Sequence, residues 1–393
     1  MTGTGLPLDG VRVVEMTHMV MGPSCGMVLA QLGAEVIKVE PPGGDKTREL
    51  GGMGTAFFPL FNRGKRSVVL DFAKAEDRET MHPLLASADV FLENFRDGQL
   101  EKQGLGPEDL RRRHPHLITA GHKGFLSGPY EHRPALDEVV QMMSGLAAMT
   151  GTKEKPQRVG SSANDIMGGM FGAIAILAAL YQKRSSGKPA DIRIGLFENC
   201  LFLVAQHMVQ YEMTGIKPLS MPEREHAWPI YDIFDTESGE RIFIGVVTEG
   251  HWQSFCRQFG LGELLEDPAL RTTTDRILAR SRIIPRVAEV IKGWNAGELS
   301  ACLDRLNICF SPINRPEDLL NDPHVLRPGG LVNATNADGE AFHVPALPVE
   351  WNGASIGEGL KVPALGADTS AIRAELNGRA EVLTAGTTAA RMA

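Results

Sequence analysis

VRVVEMTHMVMGPSCGMVLAQLGAEVIKVE (residues 11–40) decides the architecture. Its two ends, VRVVEM (11–16) and EVIKVE (35–40), are short runs rich in β-branched residues, and PSCGMVLAQLG between them has helical composition. A strand, a helix of about ten residues and a second strand form one βαβ unit, which commits the two strands to a parallel sheet. The pattern continues outward through SVVLDF, DVFLENF and HLITAGH, separated by AEDRETMHPLLAS and GPEDLRRRH. Ligands on such sheets sit beyond the carboxyl ends of the strands. That rule directs attention to the loops THMVMGP, EPPGGDKTR, LDFAK, ENFRDG and GHKGFLSGP.

The whole chain has 393 residues, 43% hydrophobic and 22% charged, as a multidomain globular protein does. A formal net charge of −8 argues against nucleic acid as a partner. Five scattered cysteines, Cys25, Cys200, Cys256, Cys302 and Cys309, suggest neither a disulfide framework nor a zinc site, so a reducing cytoplasm is expected and no metal. No basic-then-apolar leader opens the chain and no uninterrupted apolar run reaches roughly 18 residues, so neither export nor a membrane is expected. Neither a GxGxxG after the first strand nor a GxxxxGK[ST] is present, so no dinucleotide or nucleoside triphosphate is signalled. After residue 135 the pattern turns helical, WPIYDIFDTESGERIFIGVVT reads as a hairpin, and residues 250–310 read as amphipathic helices. The alanine- and threonine-rich end from about 380 reads as poorly ordered.

One carboxylate stands out. In RVGSSANDIMGGMFGAIAILAAL (158–180), Asp165 opens a helix expected to run to about Arg184. Two roles compete: an N-cap accepting backbone N–H bonds, or a nucleophile kept ionised by the helix dipole. Gly168, Gly169 and Gly172 favour something beyond a cap. Each costs about 1 kcal/mol against Ala in a helix interior, which is tolerated where a backbone or ligand must come close. AIAILAALYQ is apolar on every face and implies a buried helix. Other candidates are His18, His122 and His132 in loops, Cys25 in a first helical turn, Lys65 and Arg66 as a phosphate-binding pair, and Arg111–Arg113 as a solvated face.

Taken with LDGVRVVEMTHMVMGPSCGMVLAQLGAEVIKVEPPGGDKTR, FNRGKRSVVLD, ADVFLENFRDG, LITAGHKGFLSGPYEHRPALDEVVQMMSGL and KRSSGK, that stretch resembles the class III coenzyme A transferases. Formyl-CoA transferase and the carnitine CoA-transferase belong there, and α-methylacyl-CoA racemase is related. The likeness covers residues 6 to about 215 and returns in VPALPVEWNG and PALGADT. It implies an α/β fold: a Rossmann-like large domain with a parallel sheet formed from both chain ends, a smaller α+β middle domain, and an interlocked homodimer. The implied boundaries are 1–200 for the first part of the large domain, 201–224 for a linker helix, 225–315 for the small domain and 316–393 for the return.

The resemblance implies Asp165 as the residue that forms covalent intermediates. It places coenzyme A, a substrate rather than a tightly bound cofactor, on Val20, Met21, Leu70, Asp71, Phe72, Ala73, Asn94, Phe95, Arg96, Lys102, His122, Lys123, Gly124 and Phe125. Val20, Ala73, Lys102 and Phe125 stand where formyl-CoA transferase has Gln, Lys, Arg and Tyr, and LSMPEREHAW replaces that enzyme's glycine-rich lid. Formate and oxalate are thereby disfavoured. Arg224 and His226 in that loop could meet the free carboxylate of a larger acid, with His18 and the Gly168 and Gly169 N–H groups also toward substrate. The expected reaction moves CoA from an acyl-CoA, succinyl-CoA first among candidates, to a short dicarboxylic acid. The rivals are racemisation of a 2-methylacyl-CoA and non-catalytic acyl-CoA binding. Racemisation needs a proton-transferring residue where Leu136 stands, since the related racemases carry His there.

Overall fold

The computed structural model describes residues 5–378; the segment from about 380 expected to be poorly ordered lies outside them. Six strands, β1 (Arg12–Met16), β2 (Glu35–Glu40), β3 (Arg66–Val69), β4 (Val90–Glu93), β5 (Ile118–Lys123) and β6 (Asp191–Gly195), form one sheet in the order β3-β2-β1-β4-β5-β6. Every neighbouring pair is parallel. Strand order reverses between β1 and β4, and that reversal opens a crevice at the carboxyl edge.

The helices of this part are α1 (Met21–Gln31), α2 (Phe57–Asn62), α3 (Ala75–Ala86), α4 (Pro107–Arg113), α5 (Asp137–Met143), α6 (Leu146–Thr150), α7 (Ala163–Ser186) and α8 (Leu196–Thr214). Alternate residues of each strand enter different cores, as the two-residue period of a strand requires. Val13, Val36, Val90, Leu92 and Ile118 pack with α1 and α7. Val14, Ile37, Val68 and Phe91 pack on the other face with Met81, Leu84 and Leu85 of α3. That second core is completed by Ile372 and Leu376 from helical residues 369–378.

The chain divides into two compact units, residues 5–222 with 324–378, and Glu223–Pro323. Two expectations are corrected here. All six strands of the large sheet come from residues 12–195, so the C-terminal end joins this unit through a helix and small separate sheets rather than as a strand of the main one. Residues 201–214, expected as part of a linker helix, are helical as the later part of α8 but belong to the first unit, where Cys200 and Val204 are buried. The second unit has the expected hairpin, Ile230–Asp235 paired antiparallel with Arg241–Val246, and Cys309–Pro312 as third strand. Trp252, Phe255, Ile283, Val287, Leu299 and Leu303 form its core.

Lys65 and Arg66 are not a phosphate site. The buried Lys65 Nζ meets Glu15 at 2.8 Å, the Pro23 carbonyl at 2.9 Å and Asn62 Oδ1 at 3.0 Å. Arg66 pairs with Glu35, Asp368 and Glu375. A buried ammonium needs such partners, and with them it has none to spare.

Candidate active site

The crevice between β1 and β4 is held by one side chain. Asn94, just after β4, accepts the His18 N–H at 3.0 Å and donates to the His18 carbonyl at 2.8 Å. The loop after β1 is thus tied to the loop after β4, with Met19 at a φ of 66° between them. His18, Asn94, Phe95, Arg96, His122, Lys123 and Gly124 line a pocket of about 400 Å³, joined by Asp97, Glu131, His132, Arg133 and Leu136. Of the fourteen positions expected to meet coenzyme A, six gather here: Asn94, Phe95, Arg96, His122, Lys123 and Gly124.

The others do not. Val20 and Met21 are buried at the start of α1, Leu70 is fully buried, and Phe125 is 1% exposed against Tyr130 and Phe197. Asp71, Phe72 and Ala73 form a turn beyond β3, with Asp71 accepting the Ala73 N–H at 3.0 Å. Lys102 is exposed on a short 3₁₀ turn outside this pocket. Lys123 lines the pocket, yet its ammonium meets Glu93 at 2.9 Å, Asp97 at 3.2 Å and the Phe95 carbonyl at 2.9 Å. Arg224 and His226 lie in the second unit, where Arg280 and Asp232 act on His226.

Asp165 is in the first turn of α7, one residue past Asn164. Asn164 is fully buried, donates to the Leu196 carbonyl at 3.0 Å and accepts from Asn199 Nδ2 at 2.6 Å, which fixes the start of α7 on α8. Of the two roles read from sequence, the cap is excluded. The N-cap position is Ser162, and Asp165 is the third helical residue, with no side-chain cap bond. Asp137, at the first position of α5, takes part of that role. Burial raises its pKa, and the Gln141 amide, Arg158 and the Asp165 and Asn164 backbone N–H groups lower it only in part.

A second correction concerns charge. The helix dipole was expected to keep Asp165 ionised, but burial first, and the Asp137 carboxylate second, push its pKa up to about 7, against a lowering contribution from Arg158. Desolvation outweighs the dipole because the half-buried group is partly withdrawn from water and a like charge acts on it. Among the described residues no side chain is hydrogen-bonded to the Asp165 carboxyl.

The glycines serve packing. Gly168 and Gly169 lie inside α7 with their N–H groups committed to the helix, so the expected oxyanion donors are not available. A Cβ on Gly168 would meet Met21 Cε at 2.5 Å, and one on Gly169 would meet Ser24 Oγ at 2.0 Å and the Met21 carbonyl oxygen at 2.8 Å. A Cβ on Gly172 would fall 2.4 Å from His122 Nε2. Small residues therefore let α7 approach α1 and β5. His122, 3% exposed, has both ring nitrogens without a well-formed hydrogen bond, and burial lowers its pKa to about 4. The Cys25 thiol is fully buried and raised by burial, which rules out the thiolate considered from sequence.

Sequence reasoning passed over three neighbours of this site: Arg158, Gln141 and, as a partner of Asp165, Asp137. Gln141 Nε2 donates to Asp137 at 2.8 Å, and its Oε1 accepts the Val159 N–H at 3.0 Å. The signal available was the i,i+4 spacing of Asp137 and Gln141 at the head of DEVVQ.

Residues 8–369 match the model of CoA-transferase family III. The chain belongs to this family. It is a CoA-transferase, with acyl-CoA and carboxylic acids as its substrate classes. It is 31% identical over 369 residues to the succinyl-CoA–D-citramalate CoA-transferase of Chloroflexus aurantiacus, covering 90% of this chain and 92% of that one. It is 30% identical over 383 residues to the succinate–glutarate CoA-transferase of Agrobacterium fabrum, covering 94% and 96%. The crystal structure of a CAIB/BAIF family protein from Brucella suis superposes with a TM-score of 0.85 at 33% identity, over 94% of the transferase and 99% of that chain.

Proposed function

We propose that the transferase moves coenzyme A from succinyl-CoA to a short dicarboxylic acid, with Asp165 as the covalent carrier. The observation that carries this reading is the Asp165 carboxyl itself: half-buried at the head of α7, without a hydrogen-bonded partner side chain among the described residues, and with its pKa pushed up to about 7 by burial first. A desolvated carboxylate is a better nucleophile than a hydrated one. Two similar transferases bear names that pair succinyl-CoA or succinate with dicarboxylic acids, D-citramalate and glutarate.

The Asp165 carboxylate attacks the thioester carbonyl, the C–S bond breaks, and an acyl-aspartyl anhydride and CoA thiolate result. The thiolate attacks the aspartyl carbonyl, releases the donor acid as its carboxylate and leaves an aspartyl-CoA thioester. The acceptor carboxylate runs the two steps in reverse. Arg96 lines the pocket, and we assign it to a CoA phosphate because a guanidinium suits phosphate oxygens. Leu136, 66% exposed on the same wall, supports transfer over racemisation, because its side chain moves no proton.

We also read the working form as an interlocked cytoplasmic homodimer. Met170, Ile174 and Tyr181 of α7 are 48%, 58% and 78% exposed, and Phe202 and Met213 of α8 are 66% and 79% exposed. Large apolar side chains exposed in that number on two helices are read here as a protein contact. Four of the five cysteines are buried free thiols, in keeping with a reducing compartment.

Incubation with succinyl-CoA, quenching and peptide mass spectrometry should find a CoA-sized adduct on Asp165. Asp165→Ala should abolish transfer and Asp165→Asn should reduce it at least a thousandfold. Full activity in either variant removes the covalent route.

A further inference from the structure

α4 is a helix of seven residues without a side-chain cap. Its Pro107 and Leu110, with Leu105 ahead of them, face a cavity of about 260 Å³ whose lining also includes Arg96, Asp97 and Lys123. Those last three line the candidate pocket as well. A void forfeits packing attraction that would otherwise hold the helix to the sheet. The carboxyl end of α4 is tied to α3 by three side chains. Arg113 Nη1 lies 2.8 Å from His82 Nε2 on α3, and His82 Nδ1 lies 3.2 Å from Nε2 of His114, the residue that ends α4. The two imidazole rings stack, with centroids 5.5 Å apart and planes inclined by 19°.

The donors alone fix the proton positions. A guanidinium only donates, so His82 Nε2 accepts and the proton of that ring is on Nδ1. This N–H donates to His114 Nε2, which is therefore bare. Both rings are neutral when the chain of bonds is closed. A proton added to His82 meets the Arg113 N–H, and one added to His114 meets the His82 N–H, so charging either ring breaks a bond. We propose that Arg113, His82 and His114 form an acid-released clasp between α3 and α4, and that its opening loosens residues 94–106 and weakens the hold of the candidate pocket on coenzyme A. The effect on coenzyme A rests on that pocket being its site; the clasp does not.

The surroundings act in the same direction. Burial first, and then His82, His116 and Arg113, lower the His114 pKa to about 4, while burial and then Arg113 lower that of His82. In the opened form both rings return toward the ordinary 6.5. That form binds protons more tightly, so the clasp is fully closed above 6.5 and is lost as pH falls toward 4. The other charged groups nearby are few. Glu79 on α3 and Asp109 on α4 raise the His82 pKa, and Asp109 is paired with Arg112 at 2.5 Å. Arg111 on the same helix pairs with Asp191. His116, beyond α4, is edge-on to His114 with centroids 6.2 Å apart. From helical residues 369–378, Arg373 is committed to Glu76 and Asp77.

The test is hydrogen–deuterium exchange of the whole protein, read as protection factors for peptides within residues 94–117. Protection in the wild type should fall about tenfold or more between pH 7 and pH 5. His82→Gln with His114→Gln keeps the order of donors and acceptors on side chains that take no proton, so its protection should hold across the same range. Constant protection in the wild type overturns the clasp, as does an equal loss in the double variant. If the double variant fails to fold, Arg113→Ala decides: it lets His82 take a proton without losing its bond to His114, so the acid loss should shrink several-fold, and an undiminished loss overturns the clasp. Coenzyme A itself is then titrated by calorimetry at both pH values. Its Kd should rise several-fold more in the wild type than in a variant whose clasp no longer responds to acid. Opening of the clasp without that difference overturns the link to coenzyme A and its placement in the pocket, separately from the clasp.

Discussion

Asp165 and His122 make opposite contributions to stability as pH changes. Asp165 has a folded pKa of about 7, above its unfolded value of 3.8, so the folded state holds the extra proton and loses stability as pH rises between those values. Replacing it by Asn removes that loss. With an allowance for partial exposure, Asp165→Asn should gain about 1–3 kcal/mol at pH 8 and little at pH 4, as urea midpoints at the two pH values will show. His122 runs the other way: its folded pKa of about 4 lies below the ordinary 6.5, so its contribution is complete above 6.5 and is lost as pH falls toward 4. A His122→Gln variant should flatten that limb by roughly 3 kcal/mol if the native fold is kept. Asp165 was legible as a site residue from its neighbours in sequence, but its charge state was not. That state depends on Asp137, 28 residues away, and on a depth of burial that no local pattern encodes.

At the scale of elements, α7 matters most. By length and composition alone it could cross a membrane, a test that a protein's core helix also passes. Its glycine face packs on α1 and β5, while Met170, Ile174 and Tyr181 remain exposed in the single chain, where an all-round buried helix was expected. Gly169→Ala should gain about 1 kcal/mol of helix propensity. It should lose more through contact with the Met21 carbonyl oxygen and the Cys25 nitrogen, main-chain atoms that cannot step aside. A net destabilisation of about 1–3 kcal/mol is expected, measurable by calorimetry. The βαβ pattern of residues 11–40 was readable because strand and helix differ in period. The glycine-mediated approach of α7 was readable only as a cost without its cause.

For the whole molecule, the exposed faces of α7 and α8 set the assembly prediction. Sedimentation of the wild type should give twice the chain mass, and Phe202→Glu with Met213→Glu should shift it toward monomer and lower activity. The parallel sheet was legible from alternating elements, whereas the unit boundaries at 222/223 and 323/324 were less so. They follow from long-range contacts, as where Arg12 meets Glu375 at 3.0 Å and the Ser67 N–H donates to Asp368 at 2.9 Å.

Those last contacts also govern the order of biosynthesis. The ribosome delivers all six strands before residue 200, yet Ile372 and Leu376, which complete the cover over Val14, Ile37 and Phe91, are translated some 170 residues later. Until then the nascent sheet carries an incompletely covered apolar face, while Glu223–Pro323, which is contiguous, can fold behind it. The core of the first unit therefore stays incomplete until residues 372–376 have been made, and a premature stop codon near position 365 would release a chain with its earliest-made core still open.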